Sequence, residues 1–408
     1  MHTLVQTRFS HCLQYYVSSF AFTYHIMRKK TIYTLLGILF SVTCYSQVIV
    51  PKYVKLPADS TRLIGSLNGF LGQLALPDKD NTFVLKENLL TVAALMDEMK
   101  GMTDAGTTKK GFYKCYLTNV TELDSTGYII QLSYLGTDGP TPVLKASFKL
   151  IAQKQADGYN FNSVLKRNTL TWPVKKVGSF IIYRNTSGKV PFLDRYVKKA
   201  MEFDKKLHAQ NYVTEIYYCD NFNDALALYG VEYKQDYNSL AHIHISTFEG
   251  GNNLHFIGAL PNEEYAFDLH DLWHNRLHHV VSTDVINKFM DEATAYLYGG
   301  SWQISWADIF KQFKTFMGTD HDWLKAFTDN KNFGPNQQYH LYVAYVIDAL
   351  IAEKIEKEKG FPAVLQLITS GKREPDNIKF FKALDKITGI NQSNFNVEVE
   401  KLVESERP

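Results

Sequence analysis

The sequence predicts an α+β protein: a small domain with a helix and an antiparallel sheet, followed by a mostly helical domain. Its 408 residues exceed what a single core usually organises, so two domains are expected. Hydrophobic residues make up 45% of the chain, which is enough for two buried cores. Strand-like runs dominate up to residue 185, whereas apolar residues recur at a helical period from residue 263 onward.

The predicted N-terminal domain covers residues 47–185. Leu89, Leu90, Val92, Leu95 and Met96 follow a helical period, which predicts a helix over residues 87–100. Runs rich in aromatic and β-branched residues then predict four strands, over residues 112–120, 128–134, 143–151 and 178–183. The domain contains no cluster of chemically active side chains, so the sequence assigns it no function.

The predicted C-terminal domain covers residues 190–408 and begins with alternating helices and strands. A helix is expected over residues 194–210, a strand over 214–219 and a helix over 221–229. Two further strands, over residues 241–246 and 253–259, are joined by the hairpin turn Glu249-Gly250-Gly251-Asn252. A long helix is predicted over residues 339–359, within an almost entirely helical remainder.

Residues 1–46 have the layout of a leader. A basic segment, Met27-Arg28-Lys29-Lys30, precedes a short apolar run that ends in small residues before Gln47. This pattern is typical of a secretory signal peptide, with Met27 as the start and residues 1–26 as an over-extended reading frame. An uncleaved anchor and a lipoprotein attached through Cys44 are the alternatives. We expect a periplasmic or secreted protein, associated with the cell envelope or free, without a transmembrane span in the mature chain.

Charge and cysteine content limit the function further. Loss of the four basic residues of the leader changes the formal net charge from +2 to −2, so the mature chain lacks the basic footprint of a nucleic-acid-binding protein. Only Cys115 and Cys219 remain after cleavage. Export permits a disulfide between them, but a pair of buried free thiols fits the sequence equally well.

A cluster of histidines is the part of the sequence in which a catalytic or metal-binding site is expected. Seven of the 13 histidines lie between His242 and His279, and His270 and His274 are one helical turn apart. Imidazoles at this spacing can share one Zn²⁺ ion, and a carboxylate after the first of them, here Asp271, can act as a general base. Glu292, on the next predicted helix, is the expected third ligand. Small residues beside it, Ala293 and Ala295, would let the two helices approach closely.

Other interpretations of the same region stay open. His274 and His278 form a second pair at the same spacing, but Asn275 between them cannot act as a base. Alternatively, the histidines are solvated or locally hydrogen-bonded and bind no metal. Tyr339 and His340 are expected to open a helix that could cap the cleft, and Tyr339 is a candidate oxyanion donor, although packing is its simpler role. His242 and His244 are expected to share a sheet face with His255 across from them, and the tryptophans at positions 302 and 306 to belong to the core.

From residue 212 to the C-terminus, the chain resembles the gluzincin metallopeptidases, especially the peptidase MA-like family of exported proteins. The resemblance lies in His270-Asp271-Leu272-Trp273-His274, the downstream Glu292 helix and the preceding hairpin. It implies a mixed sheet with an edge hairpin, and zinc bound by His270, His274 and Glu292. It also implies that the strand at residues 253–259 is the edge that aligns an extended peptide. Asp271 stands where that family has its catalytic glutamate.

The expected function is therefore that of an exported zinc-dependent metallopeptidase whose peptide hydrolysis is weak or lost. Asp is one methylene shorter than Glu, and a misplacement of about 1 Å can cost on the order of 10²-fold in rate. Two alternatives remain. One is a catalytically inactive relative that binds a peptide or an envelope partner, and the other is a structural envelope protein without metal.

Overall fold

The predicted α+β class is confirmed. The computed structural model describes residues 47–106, 109–185, 188–209, 213–241, 243–318, 322–335 and 339–405. The leader predicted over residues 1–46 lies outside them. The chain forms two compact units, the first from residues 47–85 and 99–161 and the second from residues 86–98 and 162–405.

The described residues of the first unit form one α-helix, α1 (Ser60–Gly72), and a sheet whose strands follow the order of the chain. Its strands are β1 (Lys114–Asp124), β2 (Gly127–Asp138), β3 (Thr141–Gln155) and β4 (Gly158–Ser163). The pairs β1–β2 and β2–β3 are antiparallel. Helix α1 was not expected from the sequence, although Leu63, Leu67 and Phe70 form a buried stripe at helical spacing along it.

The second unit is built on a mixed five-stranded sheet in the order β5-β6-β7-β10-β9. Its strands are β5 (Val174–Val177), β6 (Phe180–Arg184), β7 (Thr214–Cys219), β9 (Ile243–Glu249) and β10 (Asn252–Gly258); the short β8 spans Val231–Lys234. The pairs β6–β7 and β7–β10 are parallel, whereas β9 is antiparallel to β10. Gly250 and Gly251 form the predicted hairpin turn with φ of 58° and 81°, the left-handed region that glycine enters without strain.

The strand expected to form the sheet edge is an interior strand, so that expectation is wrong. Strand β10 pairs with β7 on one side and with β9 on the other, which uses the hydrogen-bonding groups on both of its sides. The edge is therefore β9, which ends the strand order of this sheet in the described part of the chain. The cause is the parallel return of β10 beside β7, a long-range pairing that local sequence patterns do not reveal.

Helices occupy most of the remainder of the second unit. They are α2 (Leu89–Met99), α3 (Leu165–Asn168), α4 (Pro191–Lys206), α5 (Phe222–Tyr229), α6 (Leu269–Val280), α7 (Lys288–Gly299), α8 (Trp306–Met317), α9 (Trp323–Asp329), α10 (Val343–Lys359), α11 (Phe361–Ile368), α12 (Ile378–Thr388) and α13 (Phe395–Ser405). Helix α10 is buried on nearly every side, as expected of a helix at the centre of a core. It begins at Val343 instead of residue 339, so Tyr339 and His340 lie in the loop before it.

Two further expectations concern the membrane and the thiols. Within the described residues, no helix has both the length and the apolar character needed to cross a bilayer. Cys115 and Cys219 are both buried free thiols, which decides between the two alternatives left open by the sequence.

Candidate metal centre

Helix α6 presents the histidine face because its opposite face is anchored in the core. Its first turn is capped by Asp268, whose side chain accepts a hydrogen bond of 2.8 Å from the backbone N–H of His270. Leu272, Trp273 and Leu277 are fully buried. The residues at positions 270, 274 and 278 consequently share the side of the helix that faces α7.

Helix α7 packs closely against α6 and brings Glu292 to this face. The indole N–H of Trp273 donates to the buried Thr294 hydroxyl at 2.9 Å, which fixes the register of the two helices. At Gly299 a Cβ atom would stand 2.5 Å from the Leu269 carbonyl oxygen, so only glycine permits this approach. The helix is capped by Asn287, whose side chain accepts from the backbone N–H groups of Phe289 and Met290.

The three predicted ligand side chains converge. The Nε2 atoms of His270 and His274 are 3.1 Å apart, and Oε2 of Glu292 lies 3.5 Å from the first and 3.8 Å from the second. Donor atoms placed tetrahedrally at zinc bonding distances are roughly 3.3 Å apart. The three separations therefore match three edges of a zinc coordination tetrahedron, and the fourth position remains for water.

The opposite ring nitrogens show why these two imidazoles suit a cation. Nδ1 of His270 lies 2.8 Å from the Gly300 carbonyl oxygen, and because that oxygen only accepts, Nδ1 carries the proton. Nδ1 of His274 lies 2.6 Å from Oδ1 of Asp291, to which it donates. In the neutral rings both Nε2 atoms then expose lone pairs to each other across 3.1 Å, a contact that a cation between them relieves.

The ionisation of the cluster is consistent with this geometry. Burial lowers the pKa of His270, but the Glu292 carboxylate and the Gly300 carbonyl raise it more, so the net shift is upward. Burial raises the pKa of Glu292, but the two imidazoles outweigh that effect and the net shift is downward. The carboxylate is thus ionised in a site where positive charge is favoured.

The site opens into a cleft and is not walled off from solvent. The side chains of His270, His274 and Glu292 retain 14%, 19% and 24% of their accessible surface. The cleft has a volume of about 560 Å³. Its lining includes His270, Glu292 and the exposed Asp271. The predicted base and two of the predicted ligands consequently face the same cleft.

The competing set of His274, His278 and Asp291 is also present, but it forms a hydrogen-bonded group. Asp291 lies 2.6 Å from Nδ1 of His274 and 2.7 Å from Nε2 of His278. These are charge-assisted hydrogen-bond lengths, shorter than the roughly 3.3 Å between ligands of one zinc ion. Asp291 is therefore better explained as the group that orients His274.

Other residues named from the sequence lie outside the cluster. His242 is outside the described residues, while His244 and His255 are hydrogen-bonded to each other across the sheet at 2.8 Å. Burial lowers the pKa of His244 to about 4, against the opposing effect of the Asp271 carboxylate. His340 lines the cleft. Trp302 does not belong to the core as expected, because it lies in a turn and is 44% exposed.

Two contributors to the site were missed by reasoning from the sequence, namely Asp291 and the Gly300 carbonyl. The position of Asp291 beside Glu292 is a usable signal, since metal-binding histidines commonly donate their second N–H to a carboxylate. Gly300 gives no comparable signal because its contribution is a backbone atom.

Comparison of the chain with family models, with curated proteins and with solved structures gave no match.

Proposed function

We propose that the second unit binds one zinc ion through His270, His274 and Glu292 and hydrolyses peptide bonds. The observation that carries the proposal is the convergence of two imidazole nitrogens and one carboxylate oxygen, 3.1–3.8 Å apart, beside a solvent-accessible cleft. Two histidines and one glutamate with a free fourth position are a donor set found at catalytic zinc sites of peptidases.

The residues of the site divide the chemistry between them. A zinc ion held there acts as a Lewis acid and lowers the pKa of water towards neutrality. Asp271 follows the first ligand directly and is exposed to the cleft, so its carboxylate is the group available to accept the proton from water. The Gly300 carbonyl and Asp291 hold the two imidazoles with Nε2 towards the cluster.

The sheet edge next to helix α6 would align an extended substrate. Helix and strand contact each other at two points: Asn275 lies 3.5 Å from the Ser246 hydroxyl, and the ring of His279 is stacked on Phe248 with centroids 4.2 Å apart. Four residues of a helix and two residues of a strand both span about 6–7 Å. The two contacts therefore have matching spacing along the helix and along the strand. Strand β9 is the last strand in the order of the described sheet, and a peptide can add to the edge of a sheet as a further strand.

One residue favours a second candidate function. With Asp271 in place of a glutamate, the base is shorter by one methylene, and hydrolysis is slow or lost while the zinc ligands remain intact. The same cleft and strand edge would then bind a peptide or an envelope protein without cleaving it. Either activity would be exerted after export, as the leader pattern over residues 1–46 suggests.

Two measurements on the mature full-length protein test the proposal. Elemental analysis after zinc loading and desalting is expected to give one zinc per chain, and about none for Glu292→Gln. A peptide-library digest is expected to show slow cleavage that Asp271→Glu accelerates. Less than a tenth of a zinc per wild-type chain would contradict the proposal as a whole. Stoichiometric zinc without cleavage by either variant would favour the binding function.

A further inference from the structure

A tight turn with an unusual backbone borders the metal cleft. Ser301 and Ile304 exchange two backbone hydrogen bonds of 3.0 and 2.8 Å, which leaves Trp302 and Gln303 as the two residues of a hairpin loop. Their φ angles are 53° and 63°. Positive φ at both central positions is the signature of a type I′ turn, in which Asn-Gly is the favoured pair.

The two side chains make this conformation costly. Left-handed backbone is unfavourable for residues with a Cβ atom, and a bulky aromatic residue adopts it rarely. The residue before the turn, Gly300, must be glycine, because a Cβ atom there would stand 2.3 Å from the Ile304 carbonyl oxygen. Strain of this kind persists where the surrounding structure enforces it, and it is concentrated at functional sites.

The strained turn holds a large aromatic ring in the cleft. Trp302 is 44% exposed and forms part of the cleft lining. The rings of Tyr339 and His340 lie next to the Trp302 ring, with centroids 5.7 and 6.5 Å away from it. Tyr342 and Tyr345, whose rings are 5.2 Å apart, continue the aromatic lining. Aromatic rings therefore form part of the cleft lining, and Trp302 and His340 are exposed there.

The same turn is joined to the metal cluster through the backbone. The Gly300 carbonyl that accepts the Nδ1–H of His270 is two residues before Trp302. Two residues of chain span at most about 7 Å, the length of two residues of an extended peptide. Trp302 therefore lies close along the chain to the group that orients His270, and it lines the same cleft as His270 and Glu292.

We propose that Trp302 is a specificity-determining residue that receives an aromatic side chain of a peptide bound in this cleft. An exposed indole backed by other rings binds such a side chain by stacking and by excluding water from both surfaces. The proposal rests on the proposed function for the ligand class, a peptide. The exposed ring and the strained turn are independent of any metal.

The test measures peptide binding and stability in the full mature chain. The probes are two dye-labelled decapeptides of glycine and serine, identical except for Phe or Gly at the centre, titrated by fluorescence anisotropy into zinc-loaded protein. The Asp271→Asn background keeps the peptides intact. Trp302→Gly removes the ring and the strain at that position, whereas Gln303→Gly relieves the neighbouring residue and keeps the ring. Trp302→Asn, which also tolerates left-handed backbone, is a second ring deletion.

We expect the Phe peptide to bind about tenfold more tightly than the Gly peptide, as one stacked aromatic contact provides. Both deletions of the Trp302 ring should abolish that difference, and Gln303→Gly should preserve it. Gln303→Gly should raise the urea midpoint of unfolding, because glycine adopts a positive φ without the strain that a Cβ atom causes.

Equal affinities in the parent protein, or a Phe preference that survives the loss of the ring, would overturn the inference. Zinc content is measured on the same samples, so that a failure of the proposed role of Trp302 can be distinguished from a failure of the proposed zinc-dependent function. Normal zinc without a Phe preference refutes the role of Trp302 alone. A preference that depends on Trp302 in protein that takes up no zinc refutes the proposed function and leaves the aromatic subsite standing.

Discussion

Replacing Asp291 by Asn changes one atom and removes the charge that orients His274. The carboxylate is buried and bonded to Nδ1 of His274 at 2.6 Å and to Nε2 of His278 at 2.7 Å. In the Asp291→Asn variant the amide oxygen can still accept from His274, but without a negative charge. Both imidazoles therefore lose the charge assistance of their hydrogen bond, while Glu292 and His270 are left intact.

The size of the effect follows from these contacts. Carboxylates that orient metal-binding histidines typically contribute 10- to 100-fold in metal affinity, or about 1.4–2.7 kcal/mol. Burial alone would raise the pKa of Asp291, but hydrogen bonds from His274 and His278 lower it from 3.8 to about 2. That shift makes the ionised form contribute about 2 kcal/mol to stability above pH 4, a contribution lost as the pH falls through 2. The metal-free variant should be destabilised by this amount at pH 7.

The assay is a competition titration of zinc with a chromophoric chelator, combined with urea unfolding of the metal-free protein. His278→Asn is the matched control, since it removes the other partner of Asp291 without touching a proposed ligand. We expect Asp291→Asn to weaken zinc binding 10- to 100-fold and His278→Asn to weaken it less than threefold. Glu292→Gln should abolish specific binding.

The opposite ranking would refute this assignment. If Asp291→Asn and His278→Asn both abolished zinc binding while Glu292→Gln left it unchanged, the ion would occupy the set of His274, His278 and Asp291. An Asp291→Asn variant that binds zinc as tightly as the wild type would show that the carboxylate does not orient His274.

Three further predictions concern other parts of the chain. Asp271→Glu should raise the turnover of any peptide cleaved by the wild type at least tenfold, and an unchanged or lower rate in mass-spectrometric digests would contradict Asp271 as the base. Burial raises the pKa of Asp348 well above 3.8, against the opposing effect of Arg373, and neither carboxylate oxygen has a hydrogen-bond partner among the described residues. The folded state therefore loses stability as the pH rises above 4, so Asp348→Asn should stabilise the protein more at pH 8 than at pH 4; an equal gain at both pH values in urea unfolding would contradict this. Burial also raises the pKa values of Cys115 and Cys219 to about 12, so iodoacetamide at pH 8 should label neither thiol until urea is added.

The sequence predicted what depends on local spacing. The i, i+4 histidines of helix α6 and the two glycines of the β9–β10 hairpin impose their geometry within a few residues, and both features are present. The approach of Glu292 could also be anticipated, because small residues flank it on the next helix. Helix α1 was missed because its apolar stripe lies between turn-forming residues that masked the period.

Features that depend on long-range contacts could not be predicted. The position of β10 inside the sheet results from its pairing with β7, a segment about 40 residues away, and no local pattern distinguishes an edge from an interior strand there. Asp291 orients His274 only because the two helices meet at one particular rotation. Trp302 was expected in the core because its spacing to residue 306 suggested one helix, whereas the backbone turns at residues 301–304.

The central claim is that one ion sits between His270, His274 and Glu292. Anomalous diffraction at the zinc edge from crystals of the zinc-loaded protein locates the ion directly. We expect a single peak about 2.0–2.2 Å from both Nε2 atoms and from the Glu292 carboxylate. A peak between His278 and Asp291 would contradict the claim. So would the absence of an ordered peak in crystals of protein that contains one zinc per chain.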